Sequence, residues 1–135
     1  ETGTANISGA IALGAAVDYL ERIGMDAIAE HEEAVLDYAV ERLAGVEGVT
    51  LYGPRDVSKR GGILSFNVGE IHPHDVGTIL DGEGIAVRTG FHCAQPFMRY
   101  LRIHGTVRAS FYLYNRRDDV DRLVDALARV KDVFE

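Results

Sequence analysis

Cysteine occurs once in this chain, at Cys93, within Arg88-Thr89-Gly90-Phe91-His92-Cys93-Ala94-Gln95-Pro96. A lone thiol has no internal disulfide partner, and thiolate chemistry is favoured where positive charge stands close by. Arg88 and His92 bring that charge in sequence, and Gly90 frees the backbone to approach a ligand. The loop therefore has the composition of a nucleophile's setting. A structural reading stands beside it, because free cysteine is among the most buried residue types and packs as a small hydrophobe. The loop alone leaves both open, since the partners that tune a thiol are set in three dimensions.

Other side chains narrow the chemistry. His72 and His74 in His72-Pro73-His74-Asp75 suit a helix start better than a metal, because one thiol and scattered imidazoles give no zinc-ligand spacing. No metal is expected. The formal charge of −7 argues against a nucleic-acid partner, which calls for clustered Lys and Arg. No apolar run is long enough for a bilayer, and the N-terminus lacks the basic-then-apolar order of a signal peptide, so a cytoplasmic protein is expected. The chain opens Glu1-Thr2-Gly3-Thr4 without a methionine, which suggests a piece of a longer polypeptide.

The 135 residues fit one domain spanning 1–135, with 47% hydrophobic and 26% charged residues, ordinary for a globular chain. Apolar residues at helical spacing predict a helix from Asn6 to Ile23, with Ile7, Ile11, Leu13, Ala16, Val17 and Leu20 on its apolar side and Asn6 or Ser8 as cap. Gly9, Ala10, Gly14 and Ala15 give that helix a thin face suited to close approach of another element. A second helix is predicted from Asp26 to Leu43, with Ile28, Val35, Leu36, Ala39 and Leu43 inward. Val49–Tyr52 and Ile63–Val68 read as strands around a solvated loop, and a third helix runs from His72 to Asp81. Ile85–Arg88 reads as a strand into the thiol loop, followed by a short helix near Pro96–Leu101 and a last strand over Thr106–Tyr112. Asn115 is expected to cap a final helix carrying Val120, Leu123, Val124, Leu127, Val130 and Val133, with Asp118 and Asp119 in its first turn. These elements predict an α+β domain, a two-layer sandwich of helices on a small, mostly antiparallel sheet.

Several separated segments together carry a resemblance. They are Glu1-Thr2-Gly3-Thr4 before Asn6-Ile7, Leu51-Tyr52-Gly53-Pro54, His72-Pro73-His74-Asp75-Val76, Gly84-Ile85-Ala86-Val87-Arg88, the thiol loop, and Arg108-Ala109-Ser110 before Tyr114-Asn115. In order and spacing the chain resembles the C-terminal domain of SufS-type cysteine desulfurases, also called selenocysteine lyases, within the class V, fold-type-I family of pyridoxal 5′-phosphate (PLP) enzymes. Phe91 stands where that family usually has a second histidine, and Ala5 where it has a proline.

The resemblance implies sulfur transfer. L-cysteine would give up its sulfur to Cys93 as a persulfide, with release of alanine, and an acceptor protein of the SufE/SufU kind would remove that sulfur for iron-sulfur cluster assembly. It further implies that Arg108 binds the substrate carboxylate, for which a planar guanidinium fork is suited. Arg88 would orient the loop or support the substrate. His92 would relay a proton or polarise the thiol, or else simply be hydrogen-bonded. For both arginines a plain ion pair is the structural alternative. Gly3 and Thr4 resemble the pair that reaches the PLP phosphate of the opposite subunit in the family's homodimer. The family's cofactor lysine lies in a Ser-x-His-Lys segment of a preceding domain, and neither Lys59 nor Lys131 has that context. This chain is therefore expected to be catalytically incomplete and not to hold PLP by itself. Two other readings remain: a lyase acting mainly on selenocysteine, and a non-enzymatic persulfide carrier or interaction module that uses Cys93 without PLP.

Overall fold

The computed structural model describes residues 3–134. Ten elements follow one another, beginning with helices α1 (Ile7–Ile23) and α2 (Met25–Ala44) and strand β1 (Val49–Tyr52). A 3-10 turn (Val57–Lys59), strand β2 (Ile63–Val68) and helix α3 (Pro73–Gly82) come next. Strand β3 (Arg88–Gly90), helix α4 (Gln95–Leu101), strand β4 (Thr106–Ser110) and helix α5 (Arg117–Phe134) complete the domain. The four strands form one antiparallel sheet in the order β1-β2-β4-β3. The architecture is α+β, as the sequence predicts.

Strand alternation decides which face of the sheet is covered. Leu64, Phe66 and Val68 of β2 and Val107 and Ala109 of β4 are buried, and they meet Leu36, Ala39 and Leu43 of α2, Val76 and Leu80 of α3, and Leu123, Leu127 and Val130 of α5. Successive strand residues point to opposite faces, so Ser65, Asn67, Thr106 and Arg108 stand on the other side. No helix of the described residues packs that second face into the core. The chemistry-bearing residues of β3 and β4 lie there.

Several predicted elements shift. The segment 85–87 is not in the sheet: the Ile85 N–H goes back to the Leu80 carbonyl, and pairing begins only at Arg88. Strand β4 ends at Ser110, although the Phe111 N–H still reaches the Gly62 carbonyl at 2.6 Å. Asn115 does not cap α5. Its Oδ1 accepts from the Tyr112 N–H at 2.9 Å, while Asp119 turns back to accept from the N–H of Arg116, the residue before the helix, at 3.0 Å. That is one half of a capping box, formed because an acidic residue in the first turn reaches an amide the helix cannot satisfy. Val133 is exposed near the end of α5, whereas the five α2 residues expected inward are its buried set.

Helix α1 stands outside the core, in keeping with a thin face suited to another element. Asn6 caps it through its side chain, accepting from the Gly9 N–H at 2.9 Å, but none of its residues is buried. Its apolar side, including Ile7, Ile11, Leu13 and Val17, is solvent-facing. Periodicity shows that a helix is two-faced, but not that a partner lies within the chain.

Candidate active site

Strand β3 is the short edge that delivers the thiol loop. Its residues pair Arg88 with Arg108, Thr89 with Val107 and Gly90 with Thr106. Gly90 turns the chain out of the strand at φ 108°, a value that side chains rarely adopt, and Gly105 faces it across the gap. A Cβ on Gly105 would stand 3.0 Å from the Gly90 carbonyl oxygen, so the two backbones can close here only without a side chain.

A tight turn follows. The Ala94 N–H donates to the Phe91 carbonyl at 2.8 Å, and the two residues between, His92 and Cys93, have φ of 52° and 59°. Two consecutive left-handed residues in a four-residue turn give the backbone of a type I′ turn, which glycine and asparagine adopt far more readily than histidine or cysteine. Holding each residue there costs roughly 1–2 kcal/mol. The result is an exposed Cys93 at the apex. Arg88 Nη2 lies 3.7 Å from its sulfur, in reach of a thiol or thiolate acceptor.

His92 points the other way. Its Nε2 lies 3.1 Å from the Thr106 carbonyl oxygen and 2.9 Å from Thr106 Oγ1, while Nδ1 is buried with no hydrogen-bond partner among the described residues. Burial pushes the imidazole below its ordinary pKa, and the positive fields of Arg108 and Arg88 add to that against the opposing backbone bond from Thr106. His92 thus faces the sheet, with Nε2 engaged at Thr106.

Arg88 and Arg108 are directly cross-strand, with Ser65 and then Tyr52 continuing the same row. Like charges so placed repel. Among the described residues neither arginine enters an ion pair, whereas Arg42, Lys59, Arg129 and Lys131 each find a carboxylate. Arg108 is half-buried, and its Nε is buried without a partner among the described residues. A guanidinium kept partly out of water and unpaired is costly unless an anion completes it. The arrangement fits a carboxylate ligand on the open sheet face.

The structure thus brings Cys93, His92, Arg88 and Arg108 together at one edge of the sheet. Gly3 and Thr4 are exposed on the segment before α1 and make no hydrogen bond to this cluster among the described residues. His72 caps α3, its Nδ1 accepting from the His74 N–H at 3.2 Å. Among the described residues no group of three or more His, Cys, Asp and Glu side chains gathers to hold a metal. A cavity of about 580 Å³ opens elsewhere, at the start of α3 beside Ile71, Lys131 and Phe134, and none of its lining residues belongs to the thiol loop.

Two residues of the site were not singled out in the sequence. Thr106, 1% exposed, receives His92, and Asn67 spans the open face by donating from Nδ2 to the Gly105 carbonyl at 3.0 Å and to Tyr52 Oη at 3.3 Å. The sequence carried a signal for Asn67, since asparagine is depleted in strands and interrupts β2 on the face opposite Phe66.

Comparison with known proteins decides the family. The aminotransferase class-V model matches residues 1–123. The chain belongs to the aminotransferase class-V family. A probable cysteine desulfurase of Halalkalibacterium halodurans is 53% identical over 134 residues, covering 99% of this chain and 32% of its own length. One from Staphylococcus aureus is 49% identical with the same coverage. The chain thus spans about a third of the length of these relatives. Among solved structures, the apo cysteine desulfurase of Thermococcus onnurineus NA1 superposes with a TM-score of 0.92 at 47% identity, over 98% of this chain and 33% of that one. The Escherichia coli cysteine desulfurase CsdA, in its S-sulfonic acid form, gives 0.89 at 34% identity, over 98% of this chain and 32% of that one.

Class-V aminotransferase enzymes depend on PLP, so the residues can be tested against that cofactor. The chain holds two lysines. Lys59 sits on the 3-10 turn, pairing with Asp56 at 3.4 Å, and Lys131 pairs with Glu47 at 3.6 Å. Lys131 is half-buried, not on the solvated side of α5 as its position suggests. Neither belongs to the thiol-loop cluster, so this class-V chain does not fit as the cofactor's anchor.

Proposed function

We propose that this chain is the thiol-bearing domain, residues 1–135, of a longer PLP-dependent cysteine desulfurase of the SufS type. The observation that carries the reading is Cys93, exposed at the apex of a left-handed turn with the Arg88 guanidinium 3.7 Å from its sulfur. The unpaired Arg108 beside it supports an amino-acid carboxylate as the group that positions the substrate.

In this reading Arg108 takes the carboxylate of L-cysteine, which turns the substrate's sulfur toward the turn. The Cys93 thiolate attacks that sulfur. A sulfur–sulfur bond forms as the substrate's carbon–sulfur bond breaks, and the electron pair left on carbon takes up a proton to give alanine. PLP, held by another part of the polypeptide, supplies the electron sink for that carbon. Arg88 stabilises the thiolate before attack and the terminal sulfur of the persulfide afterwards. Gly3 and Thr4 would contribute phosphate donors across a homodimer. A cytoplasmic acceptor thiol of the SufE/SufU kind would then carry the sulfur toward iron-sulfur cluster assembly.

The test is made on the full-length polypeptide loaded with PLP. On mixing with L-cysteine, the Cys93 peptide should gain the mass of one sulfur as an equal amount of alanine appears. A persulfide on another residue, or alanine formation undiminished in Cys93→Ala, would overturn the assignment.

A further inference from the structure

We propose that His92 is a positioning residue: its Nε2–H clamps the turn that carries Cys93 onto Thr106 of the inner strand β4. The inference deepens the reading of Cys93 as sulfur acceptor and rests on it for its functional meaning.

The turn needs an outside tether. It places two consecutive non-glycine residues in the left-handed region, yet it is closed by a single backbone bond, Phe91 to Ala94. Such conformations persist only where their surroundings over-determine them. Cys93 gives little hold, since its side chain is exposed and its contact with Arg88 is a long one to sulfur. Phe91 is exposed as well. His92 is the residue of the turn that reaches back into the sheet.

The carbonyl contact assigns the tautomer within this proposal. A carbonyl oxygen only accepts, so the nitrogen facing the Thr106 carbonyl carries the proton and Nδ1 keeps the lone pair. The hydroxyl of Thr106 lies on the same nitrogen, making a forked contact to one buried residue. That residue sits on a strand hydrogen-bonded on both sides, by β2 and by β3. The clamp thereby ties an exposed apex to an interior strand of the sheet. Burial and the two arginines shift the ring toward its neutral form, against the opposing bond at Thr106.

Two substitutions separate this role from simple tolerance of the backbone angle. In His92→Gln the side-chain amide extends about as far as Nε2 and can donate to the Thr106 carbonyl. In His92→Asn the amide stops short, yet asparagine accepts left-handed φ more easily than any other non-glycine residue. A local conformational role ranks Asn above Gln, and a clamp ranks Gln above Asn. Amide hydrogen exchange at Ala94 in the 135-residue chain reports closure of the turn, with thermal melts confirming that each variant folds. We expect His92→Gln to exchange within about threefold of the native chain and His92→Asn to exchange roughly fivefold faster or more, as for one lost hydrogen bond. Asn matching or surpassing Gln would overturn the clamp. Nitrogen-15 spectra of the native imidazole give a reading free of any variant: protonation at Nε2 is expected, and protonation at Nδ1 would refute it. None of these measurements involves sulfur, so failure of the persulfide assay and failure of the clamp are separate results.

Discussion

At the scale of single residues, the site divides into groups that would touch substrate and groups that hold those in place. In the PLP-loaded full-length polypeptide, Arg108→Ala should raise KM for cysteine about tenfold or more, because a charge-assisted fork to an always-ionised carboxylate is lost. Steady-state assays on alanine release check this, and an unchanged KM would remove Arg108 from the substrate. Cys93→Ala should leave that binding intact and nearly abolish turnover. His92 adds a pH signature. Its folded-state pKa is depressed, so its neutral form contributes stability that is fully present above the unfolded value of about 6.5 and is lost as pH falls through the folded value. Melting temperatures from about pH 7.5 down to about pH 5 should therefore fall more for the native chain than for His92→Gln, which has no such group. Equal slopes would mean that His92 titrates as it does unfolded. Cys93 was legible in the sequence because it is the sole thiol among charges, Arg88 as one of those charges, and Arg108 through the resemblance. Thr106 was not, since the residue that meets His92 depends on strand register, which no local pattern in the chain prints.

At the scale of elements, legibility follows the strength of the period. Helix α2 buries the five residues its 3.6-residue spacing selects, and α5 buries Val120, Leu123, Leu127 and Val130 as expected. Leu127→Ala should cost about 2–5 kcal/mol, the range for removing a fully buried leucine, and chemical denaturation of the chain measures it. Ends and edges were harder to read. Ile85-Ala86-Val87 has strand-like residues, but after Gly84 its first amide is taken by the end of α3, so sheet pairing starts late. Asn115 has the right residue type for a cap one step too early, and the acidic residue at Asp119 takes the role instead. Asp119→Ala should accordingly lower stability by about 1 kcal/mol, while a loss confined to Asn115→Ala would restore the sequence-based expectation.

At the scale of the whole molecule, two surfaces are left for something else to cover. Helix α1 carries its apolar residues bare, and the second face of the sheet presents Arg88 and Arg108 without carboxylates. Exposed apolar strips promote association, so light scattering should show the 135-residue chain self-associating as concentration rises, and a strict monomer at high concentration would argue that the strip is too thin to matter. Incubation with PLP followed by desalting should leave no stoichiometric yellow species, because neither lysine belongs to the thiol-loop cluster. Retention of one would show an anchor in this chain after all. What the whole polypeptide needs from elsewhere could be read in the sequence from the thin face of the first helix and through the resemblance.

The three-residue edge strand has a further consequence. Arg88 opens β3 and the thiol turn begins directly beyond Gly90, so guanidinium and sulfur ride on one short ribbon that is hydrogen-bonded to a single neighbouring strand, β4. Short segments can open locally at free energies below that of global denaturation. Were this ribbon to lift, the Arg88 guanidinium would lift with the sulfur it contacts. A persulfide carried outward toward an acceptor would thus travel with its own counter-charge, shielded from stray protons for as long as ribbon and turn move as one body.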